Sequence, residues 1–137
     1  MNLNREAFQK IHQVISVQPK RLVMSSWEDE DEFSECGTTR CVAGWAVHFA
    51  VGGAPIFNVD GGGPSDVVKE LARNHGLDFD DFSTASLFEQ LGANLLGLST
   101  REARTVFYLP NDVARALVRL AARGDDVGFE NLLDEYR

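Results

Sequence analysis

Basic residues are scarce in this chain. Thirteen lysines and arginines stand against 21 aspartates and glutamates, a formal net charge of −8. Proteins that grip phosphate backbones need a basic footprint, so direct nucleic acid binding is not expected. Cysteine occurs only at Cys36 and Cys41, and the opening residues Met1-Asn2-Leu3-Asn4-Arg5-Glu6 lack the basic-then-apolar order of a signal peptide. Two thiols without a secretion signal fit a reducing compartment, so free cysteines and a cytoplasmic location are expected. Long apolar runs are missing too. The most membrane-like stretch, Cys41 to Phe57, carries no Asp, Glu, Lys or Arg, but it falls short of spanning length. His48, Gly52, Gly53 and Pro55 interrupt it, which favours a buried central helix over a membrane span. No internal repeat or linker divides the 137 residues, so a single domain over residues 1–137 is expected. With 44% apolar and 25% charged residues, that length can build a core without disulfides or metals, and no cofactor is expected.

What the chain does carry is helical periodicity. Phe8, Ile11 and Ile15 share one face of a helix over about Asn4 to Val17, which Pro19 stops. The dense acidic run Glu28-Asp29-Glu30-Asp31-Glu32, with Glu35 behind it, reads as a solvated loop or a loose helical turn. A second helix is expected from Thr38 or Thr39, as the cap, to about Val51. It is apolar nearly all round, and its small residues let neighbouring helices approach. Further helices are expected over about Ser65–Asn74, Thr84–Leu96 and Thr100–Leu109, the last opened by the capping box Ser99-Thr100-Arg101-Glu102. Two more follow, one capped by Asn111 and running through Arg123, and one from Val127 to Tyr136. The fold class expected is all-α: one bundle of six or seven short helices around the buried Cys41–Val51 helix.

Few features point to chemistry. Cys41 falls at a helix start, where the macrodipole lowers a thiol's pKa, and Arg40 adds positive charge beside it. His48 lies two turns further along, too far for a direct Cys–His pair, so Cys41, Arg40 and His48 make at best a weak thiol-dependent enzyme or redox sensor. Cys36, Cys41, His48 and His75 would form a metal set only if the fold gathered them, because Cys-x4-Cys lies outside the paired spacing of zinc modules. The loop Asp60-Gly61-Gly62-Gly63-Pro64 is no P-loop and reads as a connector. Charge segregation is the stronger signal. Arg115, Arg119 and Arg123 recur at i, i+4 and i+8, and Thr100–Arg123 holds five arginines against Glu102 and Asp112. Glu28, Asp29, Glu30, Asp31 and Glu32 form the opposite patch. Either patch is a candidate surface for a protein partner or for a second copy in a homodimer.

The segment Cys36-Gly37-Thr38-Thr39-Arg40-Cys41-Val42-Ala43-Gly44-Trp45-Ala46, preceded by Trp27 and followed later by Leu96-Gly97-Leu98 and Ala103 to Phe107, resembles a group of small uncharacterised proteins of actinobacterial phages and related bacteria. The resemblance covers about residues 1–110. It implies a phage-type accessory protein inside a host cell, with no reaction attached. Together these readings set the functional expectation: a non-enzymatic protein that binds a protein partner, a host factor. The alternatives are a thiol-dependent enzyme or redox sensor using Cys41, and an acidic decoy for a nucleic-acid-binding protein through Glu28–Glu35.

Overall fold

The computed structural model describes residues 2–24, 29–30, 38–58, 63–77 and 84–137. Within these the fold is all-α apart from one two-residue ladder. Helix α1 (Arg5–Val17) turns Phe8, Ile11 and Ile15 into the core, as the periodicity requires. Asn4 caps it, its Oδ1 accepting from the Ala7 N–H at 3.2 Å. Pro19 then opens a short 3-10 turn, Pro19–Arg21.

Two expectations are corrected next. Asp29 and Glu30 are extended, not looped or helical: they form β1 (Asp29–Glu30), antiparallel to β2 (Thr38–Thr39), with Asp29 opposite Thr39 and Glu30 opposite Thr38. Glu28, Asp31, Glu32, Glu35 and Cys36 lie outside the described residues. Helix α2 (Val42–Ala50) accordingly starts later than Thr38 or Thr39 suggests. The ladder takes up both threonines, and Arg40 forms a parallel bridge with Leu22, its N–H donating to the Arg21 carbonyl at 2.9 Å. Cys41 is left as the cap, its Sγ accepting from the Gly44 N–H at 3.3 Å.

The remaining helices are α3 (Asp66–Asn74), α4 (Thr84–Leu96), α5 (Thr100–Val106), α6 (Asn111–Ala122) and α7 (Asp126–Asp134). The capping box that opens α5 is present in full. Ser99 Oγ accepts from the Glu102 N–H at 3.1 Å, and Glu102 Oε1 accepts from the Ser99 N–H at 2.8 Å. Asn111 is the first residue of α6, not its cap. Pro110 holds the cap position, and the Asn111 Oδ1 instead accepts from the Met24 N–H at 2.8 Å.

Helix α2 is the centre of the bundle. Every residue from Val42 to Val47 is buried, and the helix serves two adjoining clusters. Trp45, Ala43 and Ala46 pack in the larger one, with Phe8, Ile11, Leu117 and Phe129. Val47 packs in the smaller one, with Ile56, Val68, Phe88 and Leu91. Helix α4 approaches α2 closely at Gly92, where an added Cβ would lie 2.9 Å from the Ala43 Cβ. Helix α1 packs along α6, and both Arg5 Nε and Gln9 Nε2 donate to the Ala122 carbonyl, at 3.1 and 3.2 Å. Those donors satisfy a carbonyl that the end of α6 leaves without an intrahelical partner. Among the described residues, no helix is long and apolar enough to cross a membrane.

Candidate functional site

Cys41, Arg40 and His48 all sit where α2 begins and runs. Cys41 is buried at the helix cap, and the removal of water around it pushes its thiol up to about 11. Backbone N–H groups at the helix start, Gly44 first among them, pull the other way and lose. The helix-start case for a reactive thiolate therefore fails on desolvation, because a buried sulfur stays protonated at neutral pH. With Cys36 replaced by serine, the Cys41 thiol should react with a disulfide reagent about 100-fold or more slower in the native protein than in denaturant, as assayed by thiolate release.

Arg40 and His48 meet at the ring of Trp45. The Arg40 guanidinium, only 5% exposed, lies 4.7 Å from the indole centroid, and so does that of Arg21. The indole Nε1 donates to the Arg21 carbonyl at 3.0 Å. His48 stands edge-on to Trp45 with centroids 5.2 Å apart, and to Phe49 at the same separation. Its Nδ1 is buried and has no hydrogen-bond partner among the described residues. Burial first, then the charges of Arg40 and Arg21, push the imidazole down to about 4.

That shift has a definite sign in stability. His48 resists protonation in the fold, whereas in the unfolded chain it titrates near its ordinary value of 6.5. As pH falls, the unfolded state binds the extra proton, so the contribution is intact above 6.5 and is lost as pH falls toward 4. His48 is only half-buried, and solvent screening holds the loss to about 1–2 kcal/mol. Urea midpoints at about pH 7.5 and about pH 4.5 should therefore converge more in His48→Gln than in the parent. An equal drop in both proteins would exclude the imidazole as the source.

Of the residues weighed as metal ligands, those described are not brought together. His75 is exposed at the C-terminal end of α3, Cys41 is buried at the start of α2, and Cys36 lies outside the described residues. Among the described residues no three of His, Cys, Asp and Glu are grouped to hold a metal ion.

The arginine stripe on α6 borders a built feature. An open groove of about 500 Å3 runs between α1 and α6, lined by His12, Ile15, Ser16, Pro19, Arg115, Ala116 and Arg119. Pro19 and Ala116 supply its exposed apolar surface over the buried Ile15, Arg115 and Arg119 its charge, and among the described residues no acid lines it. Arg119 is exposed and Arg115 half-buried. Arg123 continues the stripe at the end of α6, with its Nη2 3.7 Å from a carboxylate oxygen of Asp125. The α1 side of the groove is not legible in the sequence, since only the packing of α1 on α6 brings His12, Ser16 and Pro19 beside the arginines. The one available hint is Ala116, a small residue between two arginines on the solvent face of α6. No protein-family model matches the chain, and comparison with curated proteins and with solved structures gives no significant match.

Proposed function

We propose that this is a phage-type accessory protein of the host cytoplasm that works by binding a protein partner, a host factor, at the groove between α1 and α6. The observation that carries this reading is the groove itself. It places two arginines beside an apolar floor with no acid lining it among the described residues, in a chain that is otherwise strongly acidic. Apolar contact supplies affinity at such a surface, while the charges steer approach and fix register. The chemistry it selects is a segment that alternates acidic and apolar side chains. The buried, protonated Cys41 gives the thiol-enzyme alternative no comparable support.

The test is affinity capture from host lysate, with the parent protein and the double variant R115E/R119E side by side and quantitative mass spectrometry as the readout. One protein saturably enriched on the parent and depleted about tenfold or more on the variant is the expected result. Identical captures on both proteins would overturn the assignment of the groove.

A further inference from the structure

We infer that the groove between α1 and α6 also receives a second copy of this chain, which offers its helix α7. The inference rests on reading the groove as a docking site and names an occupant for it. Helices α6 and α7 are consecutive and pack on each other, and they carry stripes of opposite sign at the same spacing. Arg115, Arg119 and Arg123 recur every fourth residue on and just past α6; Asp126, Glu130 and Asp134 recur every fourth residue on α7. Side chains four apart stand one above another on a helix, so each set forms a line of charge rather than a scatter. Both lines face outward. Arg119, Arg123, Asp126 and Asp134 are exposed, and Arg115 and Glu130 are half-buried.

The acidic line also has an apolar companion. Val127, 72% exposed, stands one helical turn from Glu130 on α7. Helix α7 of one copy therefore presents acids beside a valine, while the groove of another presents arginines beside the exposed Pro19 and Ala116. Because every copy carries both halves, a twofold arrangement makes the same contact twice and closes as a dimer. Three groups oppose it: Asp112 on α6, Asp125, whose carboxylate lies 3.7 Å from Arg123, and Arg137, which lies 3.0 Å from Asp134 and 3.4 Å from Glu130. The Arg137 pairs are partly exposed, and such pairs contribute too little to hold off competing intermolecular ones. The dimer is accordingly weak, with a Kd of roughly tens of micromolar.

Sedimentation of the full chain across concentration tests this, first at low salt. The weight-average mass should rise toward twice that of one chain, and about 0.5 M salt should weaken the association about tenfold or more. R115E/R119E and E130K/D134K should each remain monomeric, with circular dichroism confirming that they are folded. Mixing these two variants should restore dimers, since the reversed charges then face each other; a merely structural defect would not be rescued in this way. If either variant fails to fold, the neutral pair R115Q/R119Q and E130Q/D134Q replaces them, each expected to dissociate about tenfold or more relative to the parent. A monomeric parent at the highest soluble concentration, or variants that dimerise as the parent does, would overturn the inference. If the purified parent is monomeric while R115E/R119E still loses its lysate partner, the self-association inference fails and the functional reading stands.

Discussion

Trp45→Ala is expected to cost about 3–5 kcal/mol, against a total stability of about 5–15 kcal/mol for a domain of this kind, and so to unfold a large fraction of the protein. Trp45 is 1% exposed on the central helix. It stacks on Phe49 with centroids 5.8 Å apart, and it carries a guanidinium 4.7 Å from its ring centroid from each of Arg21 and Arg40. Truncation to a methyl opens a cavity in the larger core cluster, and it removes the aromatic surface over which a nearly buried Arg40 is held. Trp45→Phe separates these terms. It keeps a ring for both guanidiniums while deleting the indole N–H and part of the ring's volume. The Arg21 carbonyl still accepts from the Arg40 N–H at 2.9 Å, so the lost hydrogen bond and the smaller ring together should cost about 1–2 kcal/mol. Urea unfolding followed by far-UV circular dichroism should show the midpoint falling far more for alanine than for phenylalanine, with the slope unchanged. Equal shifts would mean that the hydrogen bond, not the ring and its two cations, holds this part of the core together.

The same tryptophan shows which kinds of information the sequence carries. That it would be buried is legible, because an almost wholly apolar helix has no solvent face to offer. That two arginines would share its ring is not legible. Arg21 is 24 residues away, and Arg40 precedes the tryptophan by a spacing with no helical meaning, since it lies in the bridge with Leu22. Helix ends divide along the same line. The Ser99–Glu102 box is a local reciprocal arrangement and stands as the sequence implies. The caps read from Thr38, Thr39 and Asn111 are displaced because partners distant in sequence claim those residues: the Asp29–Glu30 strand for the threonines, and the Met24 N–H for the asparagine. The candidate site follows suit. Its arginine rim is periodic and therefore visible, whereas the α1 half of the groove depends on how one helix lies along another. The thiolate alternative loses support for a related reason: a helix start is visible in sequence, but the depth at which it is buried is a property of the whole fold.

Gly97→Val should be nearly as costly as the loss of Trp45, at about 3–4 kcal/mol, although it deletes nothing. Gly97 ends α4 with φ at +72°, a left-handed conformation that a β-branched residue adopts only with strain. The chain's own N-terminal segment passes directly over it, so a Cβ at this position would collide with the carbonyl of Asn2. Relief requires that segment to move, and Asn4 cannot move without consequence. Its N–H donates to the Leu96 carbonyl and its Nδ2 to the Leu95 carbonyl, both at 2.9 Å, while its Oδ1 caps α1. One asparagine thus closes the end of α4 and the beginning of α1, and the hydrogen at Gly97 leaves room for it to do both. Gly97→Ala should cost less, about 1–3 kcal/mol, because it meets the same collision with milder backbone strain. Asn4→Ala alone should cost about 1–2 kcal/mol. In the double variant Asn4→Ala/Gly97→Val the two losses should fall short of adding by about 1 kcal/mol, since the valine has already displaced the bonds that the alanine would remove. Strict additivity in urea-unfolding free energies would show that Gly97 matters only for its own backbone angle and not for the passage of the N-terminal segment across it.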